Sequence, residues 1–276
     1  RLLAIELITS FDLASGPLFR AKLFQLDADE FVFMVVIHHV VTDGLSMNLL
    51  IQDLVNAYVQ IDLHGEVYFD RLPIQYADFA AWQRDRLDSH RQSELLEYWK
   101  RSLEGVEPLN LPVDFQRPAV QTYNGNTIRF FIPAEIRETL HRHAIDHNTS
   151  MFAALLSGFF ILLRQYSGQN DFCIGTPVAG RDHAELEKVV GFFVNTLAIR
   201  AELNAEDSFF SILDRIKSTL MDGYAHQEMP FEQIVEEVDP ARDMSRSPSF
   251  PFGLMPALFT NAWRREPLDS SRLRIS

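Results

Sequence analysis

The sequence predicts a mixed α/β protein, because segments typical of strands alternate with segments typical of helices along its 276 residues. Residues 31–37 (FVFMVVI) form a continuous apolar run of strand length, which indicates a strand covered on both faces. Residues 171–178 and 193–200 have a similar strand pattern, and residues 208–224 return to helical spacing. Helical spacing also follows the first strand, in Met47, Leu50, Ile51, Leu54, Ala57, Tyr58 and Ile61.

The middle of the chain predicts two further helices and a crossing between lobes. One helix is expected to start near Gln75, and the next contains Leu95, Leu96, Trp99 and Leu103. Residues 108–125 then contain three prolines and little periodicity. Such a segment is typical of a connection rather than of a helix or strand.

The second half begins with another predicted strand, residues 127–132, before a helix that Pro133 opens. Thr149 and Ser150 can cap the helix that follows. The apolar residues 151–163 of that helix are too few to span a bilayer. They predict a buried core helix.

Composition excludes several classes of function. The chain has 25 Lys and Arg against 38 Asp and Glu, a net charge of −13, which does not fit a nucleic-acid-binding protein. The single cysteine, Cys173, cannot form an internal disulfide and fits a reducing compartment. Glu6 interrupts the apolar start, so a secretory signal is not expected. We therefore expect a cytoplasmic location without membrane contact.

The segment HHVVTDG, residues 38–44, is the most informative part of the chain for chemistry. His38 and His39 follow a strand, and histidine can take and return a proton near neutral pH. Gly44 permits a sharp turn and the close approach of a ligand at the start of a helix. From this pattern alone, the two histidines could also be hydrogen-bonded residues at a strand end.

Neither a metal site nor a nucleotide site is expected. His141, His143 and His147 do not share one face of a helix with a further ligand. The sequence also lacks a glycine-rich phosphate loop.

Six segments together indicate a known family. They are HHVVTDG (38–44), YADFAAWQ (76–83), GTPVAGR (175–181), GFFVNTL (191–197), HQEMPFEQ (226–233) and DPARDMSR (239–246). In composition and order they match the motifs of the condensation domains of non-ribosomal peptide synthetases. The sequence therefore resembles these domains, which belong to the chloramphenicol-acetyltransferase-like superfamily.

The resemblance implies an α/β fold of two lobes, with mixed sheets flanked by helices. Residues 1–107 correspond to the C-terminal part of the N-lobe, residues 108–126 to the crossing and residues 127–250 to a partial C-lobe. Residues 251–276 depart from the family and are expected to be a disordered or frame-shifted tail. Both lobes are thus expected to be incomplete, and the chain to be truncated at both ends.

The activity that the resemblance implies is amide-bond formation between two carrier-bound substrates. The donor is an acyl or peptidyl thioester, and the acceptor is the amino group of an aminoacyl thioester. Both are held on the phosphopantetheine arms of peptidyl carrier domains, beside an adenylation domain, and no cofactor is bound directly. His39 would orient or deprotonate the amine, and His38 would shape the site.

The resemblance also implies roles around the motif. Asp43 would be structural and held by an arginine, for which Arg181 is the candidate. Gly44 would lie against the pantetheine arm or the reacting carbonyl. Positioning and charge stabilisation can contribute more than proton transfer, because a thioester is already activated.

Four residues are candidates for lining the substrate channel: Asn195, Ser46, His226 and Gln227. Asn195 is expected within a strand among apolar neighbours, where it either lines the channel or binds backbone. For His226 and Gln227 a structural role is favoured.

Other functions remain open. Leu45-Ser46-Met47 after the motif differs from the Ser-Trp typical of epimerisation domains, and the histidines exclude heterocyclisation domains. A free-standing acyltransferase that uses coenzyme A is one alternative. A non-catalytic remnant or a carrier-docking module is another.

Overall fold

The computed structural model describes residues 2–115 and 130–238, which form two compact units. The first unit contains the chain up to residue 86 together with residues 179–194, and the second contains the other described residues. Residues 87–107 thus group with the second unit and residues 179–194 with the first, which differs from the lobes proposed above. The tail 251–276 and most of the crossing lie outside the described residues.

The first unit contains a helix, a hairpin and two further helices. They are α1 (Leu2–Ile8), β1 (Phe19–Asp27), β2 (Glu30–Ile37), α2 (Gly44–His64) and α3 (Tyr76–Arg86). The strands β1 and β2 pair antiparallel, with Phe19 opposite Ile37. Gly65 caps the C-terminus of α2, and its left-handed φ of 74° favours glycine.

The prediction that β2 is covered on both faces is wrong. The strand forms where predicted, but none of its residues is buried, and Phe31 is 52% exposed. Among the described residues, β1 is its only hydrogen-bonded neighbour. A continuous apolar run therefore identified the strand here without showing how deeply it is buried.

The second unit contains a two-stranded antiparallel sheet and five helices among its described residues. They are α4 (Ser89–Leu103), α5 (Ala134–Asp146), α6 (Met151–Ser167), β3 (Asp171–Val178), β4 (Asn195–Glu202), α7 (Phe209–Ala225) and α8 (Phe231–Val238). Helix α6 packs against α5 and α7, and α7 also packs on β4. Trp99, Phe160 and Phe172 are among the largest fully buried side chains of its core.

Helix α6 is the core helix that the sequence predicts. Ser150 caps it by accepting a hydrogen bond from the Ala153 N–H, and seven of its residues are buried. Within the described ranges, no single helix is long and apolar enough to cross a membrane. Helices α5 and α6 meet that test only as a pair bent by 110°.

Two strand predictions need correction in the described residues. Residues 130–132 are in no strand, and Phe130 and Phe131 are strongly exposed, since a strand requires a hydrogen-bonded neighbour that the described residues do not supply there. Strand β4 begins at Asn195 rather than at residue 193. The Phe193 N–H donates instead to the Asp43 carboxylate.

Candidate active site

The turn after β2 holds His38 by local contacts. Its N–H donates to the Leu18 carbonyl over 2.9 Å, and its ring Nδ1 accepts a hydrogen bond from the Val40 N–H over 3.1 Å. The ring also meets Phe11 edge to face, with centroids 5.9 Å apart. Nδ1 of His38 is thus occupied as an acceptor by the backbone of the turn.

His39 has a different environment. It is exposed and begins a short 3-10 turn, His39–Val41. Its ring meets the ring of Phe192 edge to face, with centroids 5.2 Å apart and planes at 84°. Among the residues the structure describes, no hydrogen bond occupies either ring nitrogen, so both are available as hydrogen-bonding groups.

Asp43 is the N-cap of α2 and is almost fully buried. Its side chain is 1% exposed. Oδ1 accepts from the Ser46 N–H over 2.7 Å, and Oδ2 accepts from the Phe193 N–H over 3.1 Å. The carboxylate therefore joins the start of α2 to the segment 179–194 within the first unit.

The protonation of Asp43 follows from these contacts. Burial raises the pKa of a carboxyl group, but the hydrogen bonds from Ser46 and Phe193 and the charge of Arg181 outweigh it. The pKa of Asp43 is therefore held below its ordinary value, and the group is a carboxylate at neutral pH.

Arg181, the partner expected from the sequence, lies against this carboxylate. Its Nη2 is 3.3 Å from both carboxylate oxygens of Asp43, and its side chain is 5% exposed. Its Nη1 donates to the carbonyl oxygens of Leu186 and Val189 over 2.5 and 2.7 Å. The guanidinium also lies over the Phe193 ring, 4.0 Å from its centroid. Arg181 thus links Asp43 to its own loop.

Ser46 does not fit its predicted place in a channel. It is 0% exposed. Its hydroxyl donates to the Gly191 carbonyl over 2.8 Å, and it accepts from the Gly191 N–H over 3.0 Å and from Arg181 Nη2 over 2.8 Å. Because a hydroxyl has one donor and two acceptor positions, Ser46 has none left for a substrate.

Sequence reasoning missed the supporting roles of Tyr76 and Gly191. The Tyr76 hydroxyl donates to the Phe192 carbonyl over 2.7 Å, and its ring meets Phe193 edge to face. A Cβ on Gly191 would overlap the Tyr76 ring. Both residues lie in matched motifs that are far apart in sequence, so only the structure shows that they are in contact.

Gly44 lies in open space at the start of α2. It is exposed, its φ is not left-handed, and a Cβ added to it would meet no atom within 4 Å. The backbone conformation at this position therefore does not itself require glycine. Room for a ligand to approach is the remaining reason for glycine.

Asn195 belongs to the second unit and binds backbone. It is the first residue of β4, not a central one. Its Nδ2 donates to the carbonyls of Gln227 and Met229, both over 2.7 Å, while Oδ1 accepts from the N–H groups of Thr196 and Phe231. These four bonds use the whole amide, so of the two predicted alternatives the structure favours the backbone role.

His226 is the C-cap of α7, and two contacts hold its ring. Its ring stacks on Tyr98 at 3.6 Å and 7°, and its Nδ1 lies 2.7 Å from the Asp222 carbonyl, which makes Nδ1 the protonated nitrogen. The His226 carbonyl accepts from Trp99 Nε1, and the Gln227 carbonyl accepts from Asn195. These contacts agree with a structural role for His226 and Gln227.

The structure therefore brings one group of predicted residues together in the first unit and a second group in the other. The first group is His38, His39, Asp43, Gly44, Ser46 and Arg181, and the second is Asn195, His226 and Gln227. No group of three or more His, Cys, Asp or Glu in residues 2–115 and 130–238 could hold a metal ion.

Comparison with known proteins adds the family. The family model of the condensation domain matches residues 2–256. One linear gramicidin synthase protein of Brevibacillus parabrevis is 43% identical over 241 residues, which cover 87% of this chain and 3% of that protein. The phosphinothricin tripeptide synthetase PhsC of Streptomyces viridochromogenes is 40% identical over 251 residues, 91% of this chain and 23% of that protein.

Two solved structures have the same fold. The X-domain from teicoplanin biosynthesis, in complex with OxyB, has a TM-score of 0.83 at 27% identity and matches 91% of this chain and 57% of its own. The four-domain nonribosomal peptide synthetase holo-AB3403, bound to AMP and glycine, has a TM-score of 0.80 at 29% identity and matches 92% of this chain and 19% of its own. This chain thus spans a small part of the synthetases and little more than half of the X-domain chain.

Proposed function

Because the chain belongs to the condensation-domain family, we propose that it forms amide bonds, as the condensation domains of non-ribosomal peptide synthetases do. The donor would be an acyl or peptidyl thioester, and the acceptor would be the amino group of an aminoacyl thioester. The match to the condensation-domain family over residues 2–256 supports this proposal.

One structural observation carries the proposal. His39 is exposed with both ring nitrogens unoccupied among the described residues, yet it lies two residues after the end of β2 and four residues before Asp43, which forms a buried cluster with Ser46 and Arg181. A reactive side chain on a fixed backbone is what positioning catalysis requires, because misplacement by about 1 Å can cost about 100-fold in rate.

In the reaction the acceptor nitrogen attacks the thioester carbonyl carbon. The new C–N bond forms as the C–S bond breaks, and the proton that the amine loses ends on the released thiol. His39 would accept a hydrogen bond from the amine or take its proton and return it to the sulfur. His38 would hold the turn, with its Nδ1 already bonded to Val40.

The tethered substrates define the partners of the chain. We assign them to the phosphopantetheine arms of donor and acceptor carrier domains, loaded by an adenylation domain. The open space around Gly44 fits the approach of a thin arm or of the reacting carbonyl. A cytoplasmic location is part of the proposal and rests on the single cysteine.

The test is a condensation assay on the purified chain. Loaded donor and acceptor carrier proteins are mixed with it, and the acceptor-bound amide product is measured by mass spectrometry. We expect product with the wild type and none above background with His39→Ala. The control His64→Ala removes an exposed histidine at the end of α2 and should keep wild-type activity. Equal product from wild type and His39→Ala would refute the catalytic role.

A second candidate is a docking module without catalysis. It is favoured by the similarity to the X-domain, which was solved in complex with OxyB. Binding of carrier proteins without product, in wild type and His39→Ala alike, would support this function instead.

A further inference from the structure

His39 has one ring contact among the described residues, and that contact is Phe192. The centroids are 5.2 Å apart and the planes stand at 84°, which is the edge-to-face geometry that aromatic pairs prefer. In the described residues no hydrogen bond fixes the imidazole, so the Phe192 ring is the aromatic neighbour that can hold its orientation.

The backbone that presents Phe192 is itself anchored at three successive residues. The Ser46 hydroxyl binds both the N–H and the carbonyl of Gly191. The Tyr76 hydroxyl donates to the Phe192 carbonyl over 2.7 Å. The Phe193 N–H donates to Asp43 over 3.1 Å. A ring on such a backbone is a stable surface for its neighbour.

We propose that Phe192 is a positioning residue for His39, an inference that rests on the function proposed above. Its ring keeps the imidazole in one orientation, so that a ring nitrogen stays directed at the amine. Ser46 and Tyr76 act one step further away, because they hold the peptide groups on either side of Phe192. This arrangement gives fully buried Ser46 a role in catalysis without contact to substrate.

Phe192→Leu is the informative substitution, because it keeps an apolar side chain and removes the aromatic ring. We expect kcat to fall by about 2- to 10-fold, the range that corresponds to the contribution of an aromatic pair, with KM for either loaded carrier unchanged. Phe192→Tyr retains the ring and should restore kcat. Phe69→Leu makes the same change at an exposed position of the first unit and should leave kcat unchanged.

A spectroscopic readout separates positioning from general stability. In NMR spectra of histidine-labelled chain, the ring-proton signals of His39 are identified by their loss in His39→Ala. They should shift in Phe192→Leu, because the ring current of Phe192 is removed, and return toward the wild-type position in Phe192→Tyr. The signals of the other histidines should have the same positions in wild type, Phe192→Leu and Phe192→Tyr.

The inference stands if Phe192→Leu lowers kcat and shifts the His39 signals, and if Phe192→Tyr restores both. It is overturned if kcat or the His39 signals stay at the wild-type value in Phe192→Leu, or if Phe192→Tyr fails to restore them. Wild-type activity in His39→Ala would instead overturn the proposed catalytic role of His39. In that case a shift of the His39 signals in Phe192→Leu would still show the contact between the two rings.

Discussion

A single nitrogen of Arg181, Nη2, lies 3.3 Å from both carboxylate oxygens of Asp43 and 2.8 Å from the Ser46 hydroxyl. Its other terminal nitrogen, Nη1, donates to the carbonyls of Leu186 and Val189 instead. Arg181 is therefore shared between the start of α2 and its own loop, and the ion pair is one part of a larger buried network.

Removing Arg181 should be strongly destabilising. Arg181→Ala leaves the Asp43 carboxylate buried without its counter-ion, and breaking a buried pair from one side costs about 3–5 kcal/mol. Urea denaturation followed by circular dichroism measures the free energy of unfolding. Arg137→Ala, at an exposed arginine, serves as the control and should change it by less than about 0.5 kcal/mol. A loss below about 1 kcal/mol in Arg181→Ala would contradict a buried ion pair between Arg181 and Asp43, since breaking such a pair from one side costs more than that.

The Asp43 carboxylate should make stability depend on pH. Its folded pKa is lowered, so its stabilising effect is fully present above the ordinary carboxyl pKa of about 3.9 and is lost as the pH falls through the lower folded pKa. The difference in free energy of unfolding between wild type and Asp43→Asn should be constant near neutral pH and shrink on acidification. Urea titrations at a series of pH values measure it, and a difference that grows toward acid pH would reverse the assignment.

Gly44→Ala should separate activity from stability. A Cβ at this position meets no atom within 4 Å and φ is not left-handed, so the melting temperature should stay the same or rise slightly. If the pantetheine arm or the reacting carbonyl passes Gly44, the added methyl lowers kcat/KM by about tenfold or more.

Gly180→Ala provides the contrast to that substitution. Its φ is +61°, and a Cβ there would overlap the Phe193 carbonyl. We expect a loss of more than about 1 kcal/mol in the free energy of unfolding. Thermal melts of the two variants compare them directly, and a Gly44→Ala variant as unstable as Gly180→Ala would show that Gly44 is needed for the fold.

Asn195→Ala should loosen the segment between α7 and α8. It removes the four hydrogen bonds of the amide and leaves partners such as the Gln227 and Met229 carbonyls unpaired. An unsatisfied buried group costs about 1–3 kcal/mol, so the free energy of unfolding should fall by about that amount or more. Asn204→Ala, at an exposed asparagine of the same unit, is the matched control. Equal stability of the two variants would argue that Asn195 does not clamp this segment.

The sequence predicted the local elements well where the determining signals were local. Residues 171–178 form the predicted strand without a shift of either end, and Ser150 caps α6 as expected. Apolar spacing, a capping hydroxyl and a proline at a helix start all act within a few residues. They can therefore be interpreted without knowing the rest of the chain.

Neither the apolar pattern nor the motif match predicted burial where burial depends on distant partners. The apolar run of β2 predicted coverage on both faces, yet Phe31 is half exposed. Ser46, expected at a channel, is fully buried. The exposure of Phe31 and the burial of Ser46 cannot be predicted from their neighbours in sequence, because each depends on which distant segment packs against the residue.

The motif match predicted one contact between distant residues that the apolar periodicity could not predict. Asp43 and Arg181 are 138 positions apart, and the resemblance to condensation domains predicted that they form a pair. The match could not show that Ser46 and Tyr76 hold Gly191 and Phe192 in place, because a motif records residue types and not the bonds between them.

By itself, then, the sequence determined the family, the order of most helices and strands and the choice of the HHVVTDG segment as the candidate site. The tertiary structure decided which side chains stabilise that segment and which remain exposed. The physical reason is that helix and strand formation depends on neighbours in sequence, whereas the hydrogen bonds of Ser46 join it to a residue 145 positions away and form only when folding brings the two segments together.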